Sequence, residues 1–111
     1  MNRCKSRGDN TLKDLSNKVL QMSENFSNKY NIDIGLNYAC MKLQEELGEL
    51  VAEHLNTQGM TRKTPDREAL CDEFADVQYS LLLLAHLHGV DIEEACIGKW
   101  DRQVKDSLTK L

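Results

Sequence analysis

The stretch Leu43–Leu50, LQEELGEL, places Glu45, Glu46 and Glu49 within five positions of a segment whose leucines call for burial. From about Asn37 to Asn56 the apolar set Cys40, Leu43, Leu47, Leu50, Val51 and Leu55 recurs at the spacing of a helical face, and NTQG ends it. Turned by roughly 100° per residue, Glu46, Glu49 and Glu53 fall along one edge of that face, while Glu45 points nearly the opposite way. Like charges three or four residues apart on a helix repel by about 0.2–0.5 kcal/mol per exposed pair, so the grouping has a cost that something must offset. The device occurs twice. Leu70–Val77, LCDEFADV, repeats the order leucine, any, acid, Glu, apolar, small, acid, apolar, and sets Glu73 and Asp76 along the edge of a stripe made by Leu70, Phe74, Val77, Leu81 and Leu84.

The connection between these two helices is short, which predicts antiparallel neighbours. Counted from the hinge at roughly 1.5 Å per residue, Glu49 and Glu73 reach similar heights, as do Glu46 and Asp76. Four carboxylates can then converge across one helix pair. Two carboxylates about 4 Å apart repel by about 4 kcal/mol at an effective dielectric of 20, so the quartet requires protons or cations. An all-oxygen donor set suits a hard divalent ion, Mg²⁺ before Mn²⁺ or Ca²⁺. One Glu-x-x-Glu alone is ordinarily a solvated face; two in register, each bordering a leucine stripe, favour a metal site. A di-iron bundle would require Glu-x-x-His, and His54, His86 and His88 each lack a glutamate three positions before them.

The rest of the chain agrees with an all-α fold. Its 111 residues suffice for one domain, and the scarcity of proline and aromatics favours helix. Residues 1–10 read as a flexible tail and 11–111 as the domain. A first helix is expected from about Thr11 to Lys29, and a third from the Thr64–Pro65 start to about His88. A fourth runs from about Ile92 to Thr109 behind an Asp91/Glu94 capping box. The result is a four-helix bundle with a central antiparallel pair. A net charge of −4 without a basic stripe argues against a nucleic-acid polymer as partner. Cys4, Cys40, Cys71 and Cys96 form no Cys-x-x-Cys pair and suit reduced thiols in a cytoplasm. The start MNRCKSRGDN has no apolar signal core, and LLLLA, Leu81–Ala85, is too short to span a membrane. Four successive leucines point all round the third helix, which predicts a homodimer or homotetramer to cover them.

EELGEL followed by DEFADV resembles the MazG-like all-α nucleoside triphosphate pyrophosphohydrolases, whose signature is Glu-Glu-x-x-Glu followed by Glu-x-x-Asp; the likeness runs from about Asn37 to Gln103. The resemblance implies hydrolysis of a nucleotide to its monophosphate and pyrophosphate, with Mg²⁺ held by Glu46, Glu49, Glu73 and Asp76 and a water attacking the α-phosphorus. Glu45, or another carboxylate not engaged with metal, would accept the water's proton. Such enzymes carry a lysine and an arginine on the last helix as phosphate contacts, and IGKWDRQ offers Lys99 and Arg102, although Ile97 stands where an asparagine is common. Lys42, one turn before Glu46, can reach a phosphate or pair with that glutamate. Trp100 and Tyr38 are the candidates for a base pocket, with Tyr79 and Tyr30 behind them and Phe26 assigned to the core. The resemblance also implies nucleotide-pool housecleaning by a dimer or tetramer. Competing specificities on the same scaffold are dUTPase-like and phosphoribosyl-ATP pyrophosphatase-like. A rival of another class is a non-catalytic helical oligomerisation module.

Overall fold

The computed structural model describes residues 11–109, so the expected tail at residues 1–10 lies outside the described residues. Four helices follow one another: α1 (Leu12–Tyr30), α2 (Leu36–Thr57), α3 (Arg67–Leu87) and α4 (Ile92–Thr109). No strand occurs among the described residues. Each boundary has a local cause. Thr11 and Asp14 form a reciprocal capping box at α1, the Thr11 hydroxyl accepting from the Asp14 amide at 3.2 Å and the Asp14 carboxylate from the Thr11 amide at 3.1 Å. The turn after α2 passes through Gly59 at φ 69°, a left-handed conformation that favours glycine. At α3 the cap is Asp66 and not Thr64: its carboxylate accepts from the amides of Glu68 and Ala69 at 3.0 and 3.2 Å. Pro65 therefore precedes the helix instead of opening it. Asp91 caps α4, accepting from the Glu94 amide at 3.1 Å.

α2 and α3 form the central antiparallel pair, and α1 packs on α3. The core gathers Val19, Ala39, Leu82 and Leu83, with Leu12, Ile34, Tyr79, Leu84, Leu87 and Ile92 packed around them. This changes the expectation for the leucine run. Leu82 and Leu83 are buried within the one chain and Leu84 partly so, and of the four only Leu81 is largely exposed. Exposed apolar surface remains on the central pair at Leu47, Val51 and Phe74, and on α4, whose Ile97, Trp100, Val104 and Leu108 are 53–66% exposed and share one side of the helix. Among the described residues, α4 joins the core through Ile92 near its start. The radius of gyration is 17.0 Å, against roughly 13 Å for a compact chain of this length. Among the described residues no helix is long and apolar enough to cross a membrane. Cys40 and Cys96 are free thiols, whereas Cys71 is disulfide-bonded, contrary to the expectation of reduced thiols throughout.

Candidate metal centre

Helical spacing brings the acids of α2 and α3 together. Glu46 and Glu49 lie one turn apart on α2, and antiparallel pairing sets Glu73 opposite them. One carboxylate oxygen from each of the three lies within 4.8 Å of the others. Glu46 is buried at 9% exposure, Glu73 is half-buried and Glu49 is open to solvent. Asp76, one turn beyond Glu73, is near enough for its charge to act on both Glu46 and Glu73. The fourth acid therefore borders the trio without joining its tightest grouping.

The crowding leaves an electrostatic record. Burial, reinforced by the charges of Glu49, Glu46 and Asp76, pushes the Glu73 carboxyl up to about 7. Glu46 is raised by burial and by Glu49 and Asp76, with Lys42 acting against the rise. Asp76 is raised by burial, then by Asp72 and Glu49. Buried carboxylate oxygens normally have partners, yet Glu46 Oε2 and Glu73 Oε2 are buried without one. Unpaired oxygens of one sign facing each other are the donor arrangement a hard divalent cation satisfies. The residues present thus fit such an ion.

Lys42 joins the rim, its Nζ 3.3 Å from Glu45 and 3.7 Å from Glu46. Burial pulls its pKa down, but the hydrogen bond it donates to Glu45 and the charges of Glu45, Glu46 and Tyr38 raise it overall. Glu45 lies on the exposed flank in this ion pair, outside the trio. Beside Glu46 and Asp76 opens a cleft of about 360 Å³, whose wall is built by Met22 and Phe26 of α1, Tyr38 and Lys42 of α2, and Tyr79 and Ser80 of α3, among others. An aromatic slot therefore adjoins a carboxylate cluster.

The structure brings Glu46, Glu49, Glu73, Asp76, Lys42 and Tyr38 to this one place. It does not bring Lys99, Trp100 or Arg102 there: all three are exposed on α4, and Trp100 lies among Gln103, Val104, Ser107 and Leu108 along that helix's own surface. Phe26, assigned to the core, instead lines the cleft and is 37% exposed. Tyr79 gains weight, and its signal was present in the sequence, since it falls one turn after Asp76 on the same helix. Met22, Ile34 and Ser80 carried no such signal. A second cleft of about 370 Å³, between the start of α1 and the α3–α4 turn, contains none of the clustered acids.

No curated protein and no solved structure matches this chain. The sequence pattern of the phosphoribosyl-ATP pyrophosphohydrolase family, itself part of the MazG-like superfamily, matches residues 12–98. That span holds all four clustered acids, Lys42 and the aromatic cleft, and stops one residue before Lys99. By that match the chain belongs to the phosphoribosyl-ATP pyrophosphohydrolase family.

Proposed function

We propose that the protein is a Mg²⁺-dependent nucleoside triphosphate pyrophosphohydrolase that releases pyrophosphate and a nucleoside monophosphate, acting on the free nucleotide pool of the cytoplasm. The observation that carries this reading is the pair of buried, unpartnered oxygens, Glu46 Oε2 and Glu73 Oε2, inside a carboxylate trio beside an aromatic cleft. Glu46, Glu49 and Glu73 hold Mg²⁺, or Mn²⁺ in its place, with Asp76 completing the set. When bound, such ions neutralise triphosphate oxygens and lower the pKa of a coordinated water. Tyr38, Tyr79 and Phe26 offer faces to a base, and Lys42 stands where the cleft meets the acids, able to take a phosphate oxygen.

In the hydrolysis a water oxygen bonds to the α-phosphorus, the bridging bond from that phosphorus to the β-phosphate oxygen breaks, and pyrophosphate leaves. Glu45 takes the water's proton. Its ion pair with Lys42 is exposed, and an exposed pair is worth about 0–1 kcal/mol, so the carboxylate is readily released to act as a base. Lys99, Trp100 and Arg102 enter the substrate pocket from a second copy of the chain in a dimer or tetramer. Two facts support this: the three residues lie away from their own chain's cleft, and the apolar side of α4 is exposed to solvent.

A second reading is favoured by the family match: phosphoribosyl-ATP as the substrate, cleaved at the same bond. Incubation with Mg²⁺ and a panel of ribo- and deoxynucleoside triphosphates together with phosphoribosyl-ATP, followed by product identification, separates the readings. Turnover of ordinary triphosphates to monophosphate and pyrophosphate supports the first, and turnover of phosphoribosyl-ATP alone the second. Turnover of none of them points to the non-catalytic helical module.

A further inference from the structure

The segment between α2 and α3 is held by a closed ring of four side chains. Lys63 Nζ donates to Glu53 Oε1 at 3.3 Å, and Asn56 Nδ2 donates to Glu53 Oε2 at 3.3 Å. The Thr61 hydroxyl donates to Asn56 Oδ1, and the Lys63 amide donates back to the Thr61 hydroxyl at 3.2 Å. One ring therefore fixes both the backbone of Lys63 and its ammonium. Glu53 and Asn56 are buried, at 8% and 4% exposure, while the Lys63 side chain remains 69% exposed. The Glu53 carboxylate is buried while its lysine partner is open, so the pair leaves most of the ammonium facing solvent. The arrangement tethers an open ammonium group beside the hinge, by its backbone amide and one side-chain contact.

That place is informative. Glu53 is one helical turn beyond Glu49 and two beyond Glu46, so the ring lies about 6 Å along α2 from the nearer of the metal-holding acids. The aromatic cleft, with Tyr38, lies at the other end of the same row. A nucleotide with its base in the cleft and its phosphates across the acids sends its far end toward the hinge.

We propose that Lys63 binds the terminal phosphate of the substrate and, after cleavage, the departing pyrophosphate, with Glu53 as its positioning residue. The proposal rests on the function given above. It assigns a cation to each end of the phosphate chain: Lys42 near the nucleoside and Lys63 at the distal end. Lysine suits the role as a compact point charge with three donors, of which Glu53 engages one.

The test is calorimetric binding of inorganic pyrophosphate, and separately of a nucleoside monophosphate, to the full-length protein in Mg²⁺, for the wild type and for Lys63→Gln, Lys63→Arg and Glu53→Gln. Loss of a charge-assisted contact predicts roughly 10–100-fold weaker pyrophosphate binding for Lys63→Gln with monophosphate binding unchanged. Lys63→Arg should restore most of the affinity, and Glu53→Gln, which keeps the cation, should lower it by only a few-fold. Lys63→Gln with wild-type pyrophosphate affinity overturns the assignment and leaves the metal centre standing. Equal weakening of both ligands, matched in Glu53→Gln and accompanied by a lower Tm, overturns it in favour of a loop clasp. A wild type that binds neither ligand in Mg²⁺ overturns the functional reading and this assignment with it.

Discussion

Replacing Glu73 by Gln should stabilise the protein in metal-free buffer, and only at neutral to alkaline pH. The folded-state pKa of Glu73 is about 7, against 4.5 for an unperturbed glutamate. The folded state therefore holds a proton that the unfolded chain has lost across that interval, and stability falls as pH rises through it. Below about pH 4.5 the carboxyl is protonated in both states and the variant gains nothing. Above 7 the wild type carries the repulsion and the variant does not. Each pKa unit corresponds to about 1.36 kcal/mol, which sets a ceiling of about 3 kcal/mol. Glu73 is only half-buried, and solvent screening reduces the expected gain to roughly 1–2 kcal/mol. For a domain of this size that is a Tm about 5–10 °C higher. The assay is thermal unfolding of both proteins in chelator at pH 4 and pH 8, repeated at pH 8 with saturating Mg²⁺. Metal binding to the folded state adds about 2.7 kcal/mol at a hundred times Kd, so Mg²⁺ should reverse the order by stabilising the wild type and not Glu73→Gln. A variant less stable than wild type in chelator at pH 8, or equal Mg²⁺ stabilisation of both, would refute the clustered-carboxylate account.

Activity should require a divalent cation, and Glu49→Gln should lower turnover by roughly 10²–10³-fold or more while circular dichroism shows the helices intact. Glu45→Gln, by contrast, should lose turnover with Mg²⁺ affinity retained, which steady-state rates and calorimetry check together. Removing a stacking face with Tyr38→Ala or Tyr79→Ala should raise KM by roughly tenfold with a smaller change in kcat, measured by steady-state kinetics. Light scattering at micromolar concentration should give at least twice 12.7 kDa, and Trp100→Glu with Val104→Glu should lower that mass by breaking the exposed side of α4; a wild-type mass of 12.7 kDa with full activity would remove the case for an oligomer.

The helices and the acid cluster could be read from the sequence because both depend on spacing within single helices. Glu46, Glu49 and Glu73 converge because 3.6-residue periodicity and a short hinge allow little else. The α3 cap lies two residues beyond the expected Thr64 because Thr64–Pro65 and Asp66 are both sound starting signals, and only the two amides that Asp66 accepts from decide between them. Phe26 reads as core in the sequence because an apolar residue on a helical stripe looks the same whether it meets a neighbour or a cleft. That distinction depends on how α1 sits against α2 and α3, which no pattern within α1 records. The same holds for α4, whose stripe is clear in the sequence but stays largely exposed at Ile97, Trp100, Val104 and Leu108. The Glu53–Asn56–Thr61–Lys63 ring was invisible for a related reason, since it is made by a turn geometry and not by a repeat.

The central claim is that the carboxylate cluster directs water to the α-phosphorus of a nucleotide. Hydrolysis in ¹⁸O-labelled water, with the products resolved by mass spectrometry, tests it most directly. The account predicts nucleoside monophosphate carrying the label and unlabelled pyrophosphate, at a rate that vanishes in chelator. Label in orthophosphate, with nucleoside diphosphate accumulating, would place the attack at the γ-phosphorus and contradict it.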